Sequence, residues 1–250
     1  MKKLRTFILS LAFLAAVAVA AMALSAVEIL REVERNEAFT TLYYEARMEI
    51  QVGGRRVTKT MRGFAQGNEK GLVEFTSPRD LGTRILKIGD DLWLYSPTAE
   101  EEVRLSGDML RQGMMGSDIS YQDALEYEHL TELYTAEVIG EETLAGRPCH
   151  LLELVAKPDK EVSYYRRKLW VDKERHVSLR EELYAPSGKL LKVMSVEKVE
   201  RFGSRYYAMA VVFEDKLRKN SSTRMTIEKI VFDQPLPADI FTKKRLTAKP

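Results

Sequence analysis

The chain has 250 residues, of which 45% are apolar and 30% charged, so a packed core is feasible and global disorder is excluded. A single cysteine, Cys149, excludes an internal disulfide framework and a four-cysteine zinc site, and three histidines (His129, His150, His176) leave little for a histidine-rich metal centre. The formal charge is +2, yet beyond residue 25 there are 36 basic residues against 37 acidic ones, without the concentrated positive surface that nucleic acid demands.

Lys2, Lys3 and Arg5 precede an apolar run from Phe7 to Leu24 that Ser10 alone interrupts. Small residues (Ala21, Ala23, Ser25) crowd its end at cleavage spacing, so residues 1–25 read as an export signal, and an uncleaved anchor helix is the weaker alternative. No cysteine follows for lipid attachment. The mature chain, residues 26–250, is expected to be one domain outside the inner membrane, in the periplasm.

A short helix is predicted to open it, with Val27, Ile29, Leu30 and Val33 on one side and Glu28, Arg31, Glu32 and Arg35 on the other. Leu42 to Val52 then alternates strictly between apolar and polar residues, the mark of a strand with one wet face. Gly53-Gly54 predicts a hairpin turn into a strand from Arg56 to Phe64. Shorter strands are predicted over residues 71–76, 83–88, 91–96 and 102–105, separated by turn signals at Ser77-Pro78, Gly89-Asp90 and Ser96-Pro97. The strand pattern lapses over about 106–134. There Met109, Leu110, Met114, Met115, Ile119, Tyr121, Ala124, Leu125 and Tyr127 recur at loosely helical spacing, broken by Gly113 and Gly116. Strand signals return over residues 136–144, 149–156, 164–171, 177–184, 190–202, 206–216 and 224–232, and residues 237–246 predict a terminal turn of helix.

About eleven of these segments are expected to be true strands. Amphipathic strands joined by short turns predict a mainly β protein: one curved antiparallel sheet rolled into a half-open barrel. The apolar face must be covered, and the initial helix and the 106–134 stretch are the natural plugs or lids.

The residues offer no catalytic constellation, so no enzymatic role and no cofactor or metal is expected. There is no phosphate loop, nucleophile elbow or paired-histidine motif. Ser195-Val-Glu-Lys198 matches a serine-x-x-lysine pattern but falls inside a predicted strand, whereas that chemistry needs a helix start. Asp90-Asp91, Glu100-Glu101-Glu102 and Glu181-Glu182 read as solvated strand ends and faces. Cys149 fits an apolar strand position as a small core residue.

Several stretches carry a family resemblance. They are Phe75-Thr-Ser-Pro78-Arg-Asp-Leu-Gly82-Thr83-Arg-Ile-Leu86, then Leu92-Trp93-Leu94-Tyr95-Ser-Pro97, and Gly113-Met-Met-Gly116-Ser117-Asp118-Ile-Ser-Tyr121-Gln-Asp123. Leu169-Trp170-Val171-Asp172-Lys173, Tyr184 with Ser187-Gly188-Lys189-Leu190-Leu-Lys192, and Leu236-Pro237-Ala-Asp239-Ile-Phe241-Thr242 complete the set. In this order, across residues 40–246, they resemble the LolA-like outer-membrane lipoprotein-sorting proteins, especially their larger bacterial branch.

The resemblance implies a half-open barrel with a helical lid, and a carrier that shields lipoprotein or lipid acyl chains between an inner-membrane donor and an outer-membrane acceptor. No position here matches the lid-contacting arginine of the small soluble sorting chaperones, so lipoprotein and free lipid both stand as cargo. Alternation and lid placement nominate Tyr44, Met48, Ile50, Leu86 and Leu94 as cavity wall and Met109, Met114 and Met115 as lid. Glycine breaks at Gly113 and Gly116 would supply lid motion. The alternative is an acyl-sensing regulatory module on the same fold, partnered with a membrane protein.

Overall fold

A computed structural model describes residues 24–125 and 130–248. Most of the expected export signal, Tyr127 and His129 lie outside the described residues, as do the side chains of Ala124 and Leu125. The first helix, α1 (Ala26–Glu37), starts at a reciprocal cap: the Ser25 hydroxyl accepts from the Glu28 amide, and the Glu28 carboxylate accepts from the Ser25 amide. It buries Ala26, Ile29, Leu30 and Val33. Val27 was expected on this side but is exposed, because it falls off the stripe that residues 26, 29, 30 and 33 trace at helical spacing.

Thirteen strands follow: β1 (Thr41–Val52), β2 (Arg55–Gln66), β3 (Lys70–Phe75), β4 (Arg84–Ile88), β5 (Asp91–Ser96), β6 (Glu101–Leu105), β7 (Tyr134–Leu144), β8 (Arg147–Ala156), β9 (Arg166–Asp172), β10 (Ser178–Tyr184), β11 (Leu190–Phe202), β12 (Arg205–Asp215) and β13 (Ser221–Phe232). Every candidate segment forms, rather than about eleven, because short strands such as β4, β5 and β6 are sustained by antiparallel partners. Gly53 and Gly54, at φ 55° and 82°, make the β1–β2 turn in the left-handed region that a tight hairpin needs.

All thirteen strands share one sheet, in the order β6-β5-β4-β3-β2-β1-β13-β12-β11-β10-β9-β8-β7. The chain therefore runs from the centre to one edge, crosses to the opposite edge, and returns to pair β13 with β1. Irregularities at Glu45/Ala46 in β1 and between Val196 and Val199 in β11 bend the ladder. The segment joining the edges β6 and β7 crosses the concave face as short turns of helix at Gly107–Met109, Met114–Gly116, α2 (Tyr121–Leu125) and α3 (Leu130–Leu133).

The concave face carries two half-cores. On one, Met48, Ile50, Met61, Phe75 and Ile85 pack with Met114, Ile119 and Tyr121 of the crossing segment. On the other, α1 packs its stripe onto Leu133, Tyr134, Leu152, Leu154, Leu169 and Val171. The convex face is covered at β3–β5 by the C-terminal segment, ending in α4 (Lys243–Leu246): Leu72 and Leu86 pack against Ile240 and Leu246. Arg84, buried beneath it, donates to the Leu246 carbonyl at 3.2 Å and to Glu74 Oε1 at 2.9 Å. Cys149 lies in a fourth cluster with Trp170, Val177 and Leu179.

Candidate functional site

The half-cores do not meet. Between them lies an apolar cavity of about 440 Å³, roofed by Val33, Asn36 and Glu37 of α1. Its floor and walls include Tyr44 on β1, Val73 and Ile85 on β3 and β4, Met194 on β11, Val211 and Phe213 on β12, and Met225 and Ile227 on β13. A second lobe of about 420 Å³ extends beneath the crossing segment, bounded by Leu30, Met114, Ile119, Asp123, Tyr164 and Leu183. The lobes share Val33, Glu37, Asn68, Glu181, Met194, Phe213 and Met225, so they are contiguous. Volumes of several hundred Å³ with mostly apolar walls suit a small hydrophobic ligand. A larger cleft of about 740 Å³ includes Arg111, Asp118, Lys192, Asp215 and Arg218 in its walls and is too polar for such a ligand.

The structure places the nominated residues as follows. Tyr44 lines the cavity with its ring flat over Gly63, where an added Cβ would lie 2.1 Å from Tyr44 Cζ, so only glycine leaves the ring room. Burial pushes the Tyr44 hydroxyl up to about 12. Met48 and Ile50 lie in the half-core that also holds crossing-segment residues, and Leu94, Met109 and Met115 pack against its rim. Met114 is buried and lines the second lobe.

Leu86 is a correction: it packs on the convex side under the C-terminal segment. The register pairs Leu86 with Trp93 and Ile85 with Leu94, and paired residues share a face, so Ile85 holds the inward place. The solvated reading of Glu181-Glu182 is corrected at one position. Glu182 accepts from Arg180 and Tyr184, while its neighbour Glu181 lines both lobes.

The crossing segment is pinned by buried carboxylates. Asp118, 0% exposed at its side chain, accepts from Ser221 Oγ, from Thr223 Oγ1 at 2.7 Å and from Arg218 Nη1 at 3.4 Å. Asp123 accepts from Lys192 Nζ and from Tyr164 Oη at 2.7 Å. Burial works to raise the Asp123 carboxyl, yet the Lys192 ammonium and these bonds hold it below the ordinary range. Gly113 is tightly packed, since a Cβ there would lie 2.1 Å from the Ser117 carbonyl oxygen. It serves close approach of two backbone stretches.

The inner end of α1 is different. Glu37 is exposed to solvent and lines both lobes, with protein packed around it. That enclosure, with the negative charges of Glu181 and Glu34, pushes its carboxyl up to about 7. Burial also pushes Glu181 up, against the pull of Arg167, whose Nη1 lies 3.8 Å from Glu181 Oε2. Asn36 clamps this end of the helix, donating to the Arg175 and His176 carbonyls at 2.7 and 2.9 Å and accepting from the Tyr206 amide at 2.9 Å.

The nominated set missed Met194, Phe213, Met225, Ile227, Glu37 and Glu181. Met225 and Ile227 alternate with polar residues and were within reach of the strand pattern. The two glutamates were not, because their inward position depends on register and on helix docking. Among the described residues, no three His, Cys, Asp or Glu side chains form a metal-holding group, and no helix is long and apolar enough to cross a membrane.

A family model described as uncharacterized-protein-like matches residues 67–248. None of the curated proteins matches the sequence. Among solved structures, a DUF1329 family protein from Desulfovibrio piger is similar at 25% identity and a TM-score of 0.82, over 88% of this chain and 97% of that one. A domain described as an outer-membrane lipoprotein-sorting protein from Vibrio parahaemolyticus is also 25% identical, with a TM-score of 0.78 over 89% of this chain and 98% of its own. A LolA superfamily protein from Nitrosomonas europaea shares the fold at 23% identity and a TM-score of 0.72, over 89% and 99% of the two chains. The chain belongs to the family of uncharacterized proteins whose model it matches over most of its length, and its curved antiparallel sheet is the fold of the LolA-like outer-membrane lipoprotein-sorting structures.

Proposed function

We propose that this protein is a non-enzymatic periplasmic carrier that holds acyl chains of lipoproteins or lipids in the concave cavity while they pass from an inner-membrane donor to an outer-membrane acceptor. One observation carries the reading: an apolar, two-lobed cavity separates the two half-cores instead of being filled by side chains. Interiors of this kind are normally close-packed, so unfilled apolar volume marks a place for a ligand. The similarity to the lipoprotein-sorting domain from Vibrio parahaemolyticus supports the same direction. Burying a palmitoyl-length chain contributes on the order of 10 kcal/mol gross, at about 0.8 kcal/mol per methylene, so little polar machinery is required.

The test is native mass spectrometry with organic extraction on protein purified from an exporting host. Co-purified lipid or acylated peptide at near-stoichiometric amount is the expected result. Val211, half-buried on the cavity wall, supplies the control: Val211→Trp fills the cavity and should expel the ligand while keeping the melting temperature. A clean apo mass that persists after incubation with vesicles and acylated peptide would sink the carrier reading and favour the sensing module.

A further inference from the structure

We propose that Glu37 and Glu181 form a proton-dependent constriction that sets how long an acyl chain the cavity accepts. Short chains fill the larger lobe at any pH, and long chains reach the second lobe only when these carboxyls are protonated. This rests on the reading of the cavity as an acyl-chain site.

The geometry is that of a junction. Glu37 on α1 and Glu181 on β10 are the only charged side chains that line both lobes among the described residues. The remaining shared wall is Val33, Met194, Phe213, Met225 and Asn68, so a chain threading from one lobe to the other passes methylenes over two carboxyls. Laying hydrocarbon against an ionised carboxylate strips its water with nothing to replace it, whereas a neutral acid loses far less. Filling the second lobe is therefore linked to proton uptake, and proton supply to filling.

The surrounding charges do not cancel this. On α1 itself, Glu34 adds negative charge, although its carboxylate also accepts from the Thr131 amide and hydroxyl. From β9, Arg167 leans on Glu181 and donates through Nε to the Tyr134 hydroxyl at 3.0 Å. Across the larger lobe only, Lys70 on β3, Lys87 on β4 and His176 before β10 reach the wall. In the second lobe only, Asp123 is held by Lys192. The charges that act on Glu37 are those of Glu181 and Glu34, both negative, and with its enclosure they place its proton exchange near neutrality, at about 7.

Uncharged probes isolate the effect, so the experiment titrates octanoyl and palmitoyl monoglyceride into the full mature protein by calorimetry. A site that must hold one proton, exchanging at about 7, goes from mostly neutral to mostly ionised between about pH 6 and about pH 8. Palmitoyl affinity should fall about tenfold over that span, while octanoyl affinity stays level. Buffers of different ionisation heat should reveal proton uptake with the palmitoyl probe alone. Glu37→Gln should keep high palmitoyl affinity at both pH values, with its far-ultraviolet circular dichroism spectrum and cooperative melting reporting an intact fold, and Glu181→Gln should reduce the slope. The proposal is overturned if palmitoyl binding shows no pH dependence, if both probes share the same slope, or if Glu37→Gln keeps the wild-type slope. If neither probe binds at any pH, the carrier reading fails instead.

Discussion

Two structures cover the concave face of the sheet, and they are held in opposite ways. The crossing segment between β6 and β7 is fastened by buried carboxyl groups: Asp118 on Ser221, Thr223 and Arg218, and Asp123 on Lys192 and Tyr164. Helix α1 is fastened by an apolar stripe and by Asn36, and its Glu37 feels the negative charges of Glu181 and Glu34. The expected lid is thus the better anchored cover. The helix expected merely to plug the barrel carries the groups least content with where they sit. A glycine-broken, methionine-rich stretch is not mobile by composition alone when buried carboxylates lock it.

Breaking the anchors should separate the two covers. Asp118→Ala leaves the Ser221 and Thr223 hydroxyls without their carboxylate acceptor, while Arg218 keeps the Ser117 and Gly116 carbonyls, and should cost about 4 kcal/mol in urea unfolding. Leu30→Ala removes a fully buried side chain from the α1 stripe and should cost about 3 kcal/mol. Hydrogen exchange sharpens the contrast: the first variant should expose amides of the crossing segment, the second those of α1. Identical protection losses in both variants would mean that the two covers are one cooperative unit.

Glu37 provides a smaller, pH-dependent difference. Its proton is held more tightly in the folded state, at about 7, than at the ordinary value of 4.5 in the unfolded chain. The folded state therefore binds more protons between those values, and its stability falls as pH rises through that window, the cost being complete above about 7. The melting temperature of Glu37→Gln minus that of wild type should grow across this interval and then level off. A difference that stays flat with pH would remove Glu37 as the source. Smallest of all, Ser25→Ala should cost about 1 kcal/mol of α1 stability by losing the reciprocal cap, with no effect on the crossing segment.

By itself the sequence determined the fold class and nearly every element. Alternation from Leu42 to Val52, the Gly53-Gly54 turn and the punctuation at Ser77-Pro78 and Gly89-Asp90 are local signals, set by the two-residue period of a strand and the φ values of its turns. The Ile29, Leu30 and Val33 stripe was equally legible. The direction each strand faces in three dimensions was not. Leu86 reads as well as Ile85 for a cavity wall, and only the pairing with Trp93 and the C-terminal cover place it outside. Glu181 and Glu182 are chemically the same neighbours, and register alone sends one inward. Glu37 ends a helix whose docking across the barrel opposes it to a residue far along the chain. A one-residue step reverses a strand's faces, and the acid pair is created by contacts between elements distant in sequence, so tertiary structure alone decides what the cavity contains.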